Sequence, residues 1–272
     1  MRSIVRRPLL AFALAFVAAQ VILAAVADWV SPFEPTAQSV VARLRGPGAA
    51  HWLGTDQLGR DVLARILFGY RTSLVSCTAA VGLALLLGGT LGLLAAYYRG
   101  WLDRAVMRAM DVLFAFPVML LAIGVIAVLG PRTSSAALAI AVVYTPIFAR
   151  LLRGPALIVC GTEYVLAARS IGATDAWIIL RHVLPNLASV ILVQTSLLLS
   201  AAILVEASLS FLGLGTQPPT PSLGLMLSEG RNFLLLAPWS ALFAGLAILF
   251  LSFGFNLLGD ALRDTLDPRL RG

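Results

Sequence analysis

Six apolar stretches, at residues 8–27, 74–96, 112–129, 136–149, 187–205 and 239–258, recur along a chain of 272 residues and constrain its fold more than any other feature. A helix needs about 20 predominantly apolar residues to cross the bilayer core. Backbone in lipid must satisfy its own N–H and C=O groups, so stretches of this length fold as spanning helices. The 136–149 stretch is short and contains Pro146, but Leu151 and Leu152 extend it. Composition agrees, with 60% hydrophobic and only 12% charged residues, where a soluble domain carries about 25% charged. The expected fold class is an all-α polytopic membrane protein with six transmembrane helices, forming a single domain over residues 1–272.

Arg2, Arg6 and Arg7 precede the first stretch, and Ala25-Val26-Ala27 imitates a signal-peptide cleavage site. The stretch exceeds the usual 7–15-residue signal core, which favours an uncleaved anchor. Cytoplasmic loops retain positive charge. With both termini cytoplasmic, thirteen of the twenty arginines lie inside: Arg2, Arg6, Arg7, Arg99, Arg104, Arg108, Arg150, Arg153, Arg169, Arg181, Arg263, Arg269 and Arg271. Trp29, Trp101, Trp239 and Tyr97-Tyr98 fall at stretch ends, as interfacial aromatic belts do. This topology makes residues 28–72 an extracytoplasmic loop and residues 160–186 a cytoplasmic one. Gly88-x-x-x-Gly92 offers a close helix approach, although Gly and Ala are abundant throughout.

The net charge of +7 arises without one lysine. A phosphate-cradling G-x-x-x-x-G-K-[ST] loop is therefore impossible, and the chain is expected neither to bind nor to hydrolyse ATP. Schiff-base chemistry is excluded for the same reason. No H-E-x-x-H or G-x-S-x-G occurs, so no hydrolase site is visible. The arginines are dispersed among apolar segments, which argues against nucleic acid. Cys77 and Cys160 lie in different segments without a C-x-x-C partner and read as packing residues. His51 and His182 fall on opposite sides of the membrane, so they form no common metal site. The expected role is non-catalytic, with no cofactor or metal bound by this chain.

The 160–186 loop has the grammar of two short helices. Thr162 is placed to cap the first, with Glu163 in its first turn; Gly172 permits a turn; Thr174 and Asp175 start the second; Pro185 is expected to end it. Glu163, Ala167 and Ala168 lie on neighbouring turns, and the two alanines offer a partner close approach.

Glu163-Tyr-Val-x-Ala-Ala-Arg-x-x-Gly172, with His182-x-Leu184-Pro185-Asn186 after it, resembles the EAA loop of ABC-importer permeases of the dipeptide and oligopeptide branch. So do His51-x-Leu-Gly-Thr-Asp-x-x-Gly-Arg-Asp61, Ser210-Phe-Leu-Gly-Leu-Gly215, Phe255-Asn-Leu-Leu-Gly-Asp260 and Leu266-Asp-Pro-Arg269. The chain is most similar to the C-type subunits of that branch. It departs at Pro221-Ser-Leu-Gly224, where Pro-Ser-Trp-Gly is common, and at Ala244, where Pro is usual.

The resemblance implies a type I ABC importer permease fold in a bacterial inner membrane. It implies a homologous second permease as heterodimeric partner, two ABC ATPase subunits that hold the ATP and Mg2+, an extracytoplasmic substrate-binding protein and a peptide substrate. Carried onto this chain, the ATPase-docking residues are Glu163, Ala167, Ala168, Gly172, Leu184 and Pro185.

Three further groups are candidates. Asp56, Arg60, Asp61 and Arg65 have helix-like spacing and read as a solvated amphipathic helix; the resemblance supports contact of Asp56, Arg60 and Asp61 with the binding protein. Glu206 ends the fifth stretch, and acids at membrane depth are functional candidates. Polar residues are sparse in the spans, and Gln194, Ser200 and Asn256 are the expected translocation-path positions, together with Gln20, Thr195, Ser196 and Ser252. The alternatives are a permease for nickel or another small solute, and an ion-coupled secondary transporter. The second usually places charged groups near the bilayer midplane, and none lies deep in these stretches.

Overall fold

The computed structural model describes residues 8–266; Arg2, Arg6, Arg7, Arg269, Arg271 and the end of the C-terminal motif lie outside the described residues. Among the described residues every regular element is helical, and the only bridge of strand type is the isolated pair Thr55–Asp61. The longer helices are α1 (Pro8–Ala25), α2 (Val62–Tyr98), α3 (Gly100–Phe114), α4 (Val118–Leu129), α5 (Thr133–Cys160), α6 (Glu163–Ser170), α7 (Asp175–Phe211), α8 (Leu223–Arg231) and α9 (Pro238–Leu266), with short helical turns at Ala27–Val30 and Val40–Ala42. Five of them, α1, α2, α5, α7 and α9, are long and apolar enough to cross a membrane, and α3 with α4 makes a sixth if that bent pair is one span.

Four boundaries differ from the sequence expectation, each for a local reason. Helix α2 begins at Val62, inside the expected 28–72 loop, because Asp61 accepts a hydrogen bond from the Ala64 N–H at 2.7 Å and caps it. Its first turns carry Arg65 and Arg71, which mask the apolar signal. The 112–129 stretch is broken by a 92° bend between α3 and α4. Pro117 stands at the break, lacks an N–H and disfavours helical backbone at Phe116.

Helix α5 is twice as long as the 136–149 stretch and carries Pro146 and Pro155 in its interior, which membrane helices tolerate when neighbours and side chains satisfy the freed groups. Pro185 does not end a helix. A π turn at Ile179–Val183 precedes it, and the chain runs helically from Asp175 to Phe211. A wider turn there accommodates the missing proline N–H.

Small residues govern the packing. A Cβ added at Gly88 would fall 2.1 Å from the Thr145 carbonyl oxygen, and one at Gly92 2.1 Å from that of Ala149. The Gly88-x-x-x-Gly92 pair is thus the contact that seats α2 on α5, as expected where van der Waals packing drives association. One apolar cluster joins α1, α2, α4, α5, α7, α8 and α9. A second lies at one end and joins α2, α5, α6 and the start of α7. The loop of residues 31–61 lies at the opposite end, where Trp239 at the start of α9 donates its indole N–H to the Thr55 carbonyl at 2.9 Å.

Candidate coupling site

Helix α6 and the first turns of α7 form a short helical hairpin beneath the second apolar cluster. Thr162 holds the N-cap position of α6, but its hydroxyl donates back to the Val159 carbonyl at 2.7 Å instead of capping. The exit is closed by a paired hydrogen-bond turn: the Ala173 N–H reaches the Ala168 carbonyl at 3.1 Å and the Gly172 N–H that of Arg169 at 3.0 Å. This closure requires left-handed backbone after the helix, and Gly172 supplies it with φ +83°. The expected bend is therefore present.

The two alanines part company. Val165 and Ala168 turn inward and pack with Ile178, Val183 and Leu187, whereas Ala167 is exposed. Ala168, 6% exposed, packs inward, whereas the spacing places it beside Ala167 at a partner contact; adjacent helical residues lie about 100° apart and take opposite fates. Glu163 and Pro185 are exposed, and Leu184 is half-buried against the same cluster. Outward of the hairpin stand Tyr164, Leu166, Ile171, Trp177 and Leu180, with Ile171 84% exposed. An apolar row of this kind outside the spans is unusual for a water-facing surface.

Four contacts hold the hairpin. The Tyr97 hydroxyl, near the end of α2, donates to Asp175 at 2.7 Å, and the Arg169 guanidinium lies 4.4 Å from the Tyr97 ring centroid. The His182 ring packs edge-on to Trp177 at 4.7 Å, and Asn186 donates to the Tyr164 hydroxyl at 3.3 Å. Sequence reasoning placed Tyr97 only in an interfacial belt and missed its bond to the hairpin.

At the opposite end the charged quartet is not a solvated helix. Asp56, Arg60, Asp61 and Arg65 are all buried. Arg60 Nε donates to Asp56 Oδ2 at 2.6 Å, Arg65 bonds the same oxygen, and Glu229 on α8 receives both guanidinium groups at 2.8 Å. Asp61 pairs with His51 at 2.8 Å while capping α2. Asp56, Arg60 and Asp61, expected at a binding-protein contact, are turned into the protein. They fasten the 31–61 loop to α2 and α8. Glu229 went unnoticed in the sequence. The available signal was arithmetic: Asp61 is spent on the cap, which leaves Asp56 facing two arginines.

Glu206 is buried, accepts from Ser73 at 2.9 Å and Ser210 at 2.8 Å, and lies 3.5 Å from the Ser222 hydroxyl. It joins α2, α7 and the start of α8. Ser200 on α7 bonds Ser252 on α9 at 2.9 Å, and both border a groove with the exposed Asn256. Gln194 lines a separate groove nearer the hairpin with Val193, Leu197 and Arg263. The three expected path residues thus lie along one α7–α9 seam but not in one cavity. Among the described residues no group of three or more His, Cys, Asp or Glu is placed to hold a metal ion.

This arrangement has known counterparts. Residues 88–272 match the family model described as "Binding-protein-dependent transport system inner membrane component". The glutathione transport system permease protein GsiD of Pectobacterium atrosepticum is 47% identical over 257 residues, 94% of this chain and 85% of that protein. The dipeptide transport system permease protein DppC of Alkalihalophilus pseudofirmus is 47% identical over 229 residues, 84% of this chain and 75% of that one. In fold, the chain is similar to a structure of the MetNI methionine ABC transporter in an inward-facing conformation, with a TM-score of 0.60 at 18% identity, covering 76% of this chain and 97% of the other. The helical bundle and the matched 88–272 region agree, and the chain belongs to the family of binding-protein-dependent transport system inner membrane components, the permeases of ABC importers.

Proposed function

We propose that this chain is one membrane half of an importer for dipeptides or short peptides such as glutathione, paired with a homologous second permease. The reading adds two ABC ATPase subunits, which hold ATP and Mg2+, and an extracytoplasmic substrate-binding protein. The chain itself is non-catalytic, binds no cofactor and sits in a bacterial inner membrane with both termini cytoplasmic. The substrate class rests on the likeness to the glutathione and dipeptide permeases.

The observation that carries the coupling role is the hairpin's construction. It presents Leu166, Ala167, Ile171 and Trp177 outward from a rigid Gly172 turn. The hairpin is also continuous with α7, whose 37 residues extend from Asp175 to Phe211. A push on the hairpin is therefore passed into α7 through the π turn at Ile179–Val183, while Tyr97 and Asp175 pass it to α2. Glu163, Ala167 and Pro185 belong to the docking face, and Ala168 and Leu184 support it from behind. Ser200, Gln194 and Asn256 lie where relative motion of α7 and α9 would open a path.

The test replaces Leu166 and Ile171 together by Asp in the complete assembly and follows ATPase co-purification and peptide uptake. The expected outcome is a normally inserted chain that loses both. Undiminished ATPase recovery and uptake would remove the hairpin from the coupling role.

A further inference from the structure

Helix α3 separates its charges by sign. Asp103 turns toward α5 and receives Arg153 through two hydrogen bonds of 2.5 and 2.6 Å, and Asp111 is paired with Arg150. Arg104 and Arg108 are exposed and form no ion pair with a described residue, so two of the helix's four charges are neutralised against α5 and two are not. The unpaired arginines are one turn apart, with Cβ atoms about 5–6 Å from each other.

Trp101, 73% exposed, and Val112 continue the same outward stripe at steps of three and four residues. The stripe thus reads Trp, Arg, Arg, Val along one face. An indole and an aliphatic side chain flanking two cations make the surface pattern of a helix lying in the bilayer interface, with its charges at headgroup level.

Orientation supports the same placement. Helix α3 meets α4 at 92°, and α4 is apolar along its whole length. With the apolar α4 as the embedded arm of the bent pair, α3 runs along the membrane surface. The pairing with Arg153 and the junction with α2 at Arg99 put α3 at the end of the bundle that carries the α6 hairpin.

We propose that α3 binds the phosphate of an anionic phospholipid headgroup between Arg104 and Arg108. A guanidinium pair one turn apart offers several N–H donors to one phosphate, and Trp101 and Val112 anchor the adjoining lipid. Phosphatidylglycerol fits this site and phosphatidylcholine does not, because the choline cation faces two arginines.

The test uses the complete importer assembly in nanodiscs of equal parts phosphatidylglycerol and phosphatidylcholine, with native mass spectrometry of the released complex counting retained lipid. Arg104→Gln and Arg108→Gln are expected to lower phosphatidylglycerol retention about fivefold each, and together to abolish its preference over phosphatidylcholine. Arg231→Gln at the far end of the molecule is the control and leaves retention unchanged. Inorganic phosphate added in excess is expected not to displace the lipid, which separates a headgroup site from a free-phosphate site.

Equal retention by parent and double variant overturns the proposal. So does loss of the ATPase subunits from the double variant in pure phosphatidylcholine, which would assign the stripe to a protein contact. Lipid counting does not depend on transport, so the result stands apart from the substrate and coupling assignments.

Discussion

The two ends of the bundle solve opposite problems with materials that look interchanged. At one end, Asp56, Arg60, Asp61 and Arg65, residues that ordinarily seek water, are buried in a closed ionic network with Glu229. At the other, Leu166, Ile171, Trp177 and Leu180 stand outward on a loop beyond the spans. The difference is one of completeness. The ionic network pairs its charges within the chain, Asp56 and Glu229 facing Arg60 and Arg65, and leaves only Nε and Nη2 of Arg65 without a hydrogen-bond partner among the described residues. The hairpin buries only Val165, Ala168, Ile178 and Val183 and leaves its outer row for another surface. An end whose charges are paired internally serves as a fixed frame, and an end with an uncovered apolar row offers a surface to a partner.

The most damaging way to probe this contrast is to open the network. Asp56 accepts four hydrogen bonds or ion pairs, from the Leu58 and Arg60 N–H groups and from the Arg60 and Arg65 guanidinium groups. Asp56→Ala leaves buried cations short of a counter-charge, and breaking a buried pair costs about 3–5 kcal/mol. The expected outcome is loss of the folded, monodisperse species in a detergent melting experiment. Asp28→Ala removes the exposed partner of Arg71 and should cost at most about 1 kcal/mol. Equal destabilisation by both would erase the distinction between a buried frame and a surface pair.

The next effect divides two neighbouring residues. Ala168→Arg forces a guanidinium among Val165, Ile178 and Leu187, and an unpaired buried cation costs several kcal/mol, so this variant should lose the hairpin fold and show protease cleavage between α6 and α7. Ala167→Arg faces outward and should leave the melt unchanged while abolishing ATPase co-purification. Limited proteolysis and pull-down read the two outcomes separately. Identical behaviour of the two variants would contradict the inward and outward assignment.

A smaller effect is expected at the turn. Gly172 has φ +83°, and a Cβ there meets nothing within 4 Å, so Gly172→Leu suffers backbone strain of about 1–2 kcal/mol but no clash. The chain should insert normally, with uptake reduced and the hairpin more readily cleaved. Unaltered uptake would show that the angle between α6 and α7 does not matter to coupling.

What the sequence disclosed followed the range of the physics involved. Spans are local sums of apolar residues, so the five long helices were legible, and residues 112–129 as an apolar stretch. Gly172 was legible because few other residues accept its backbone. The bend at Pro117 was not, since apolar residues on either side of it merged into one stretch. The helical start at Val62 was hidden by Arg65 and Arg71, whose charges are compensated by Glu229, 164 residues from Arg65, and by Asp28. Compensation at such distance has no local signature, and the same holds for Ala168, whose burial depends on α7 returning beneath it. The hairpin was thus legible as a motif, while the division of its residues into outward and inward ones required the fold.

The finest test concerns the link between the hairpin and the frame. Tyr97→Phe removes the hydroxyl that donates to Asp175 at 2.7 Å but keeps the ring beneath Arg169 at 4.4 Å. A hydrogen bond to a charged group contributes about 1.5–3 kcal/mol when both partners are shielded, and less here because Asp175 is exposed. Folding and ATPase recovery should be unchanged, since the apolar cluster and the outer row are untouched. If the bond serves to pass motion into α2, its loss appears only as more ATP hydrolysed per peptide imported. That ratio, measured in proteoliposomes, is expected to rise by about twofold to fivefold, the factor that about 0.5–1 kcal/mol represents. Asp175→Asn keeps an acceptor for the same hydroxyl and should fall between Tyr97→Phe and the parent chain. If both variants keep the parental ratio, Tyr97 only braces the hairpin, and motion passes into the membrane through the continuous α7 alone.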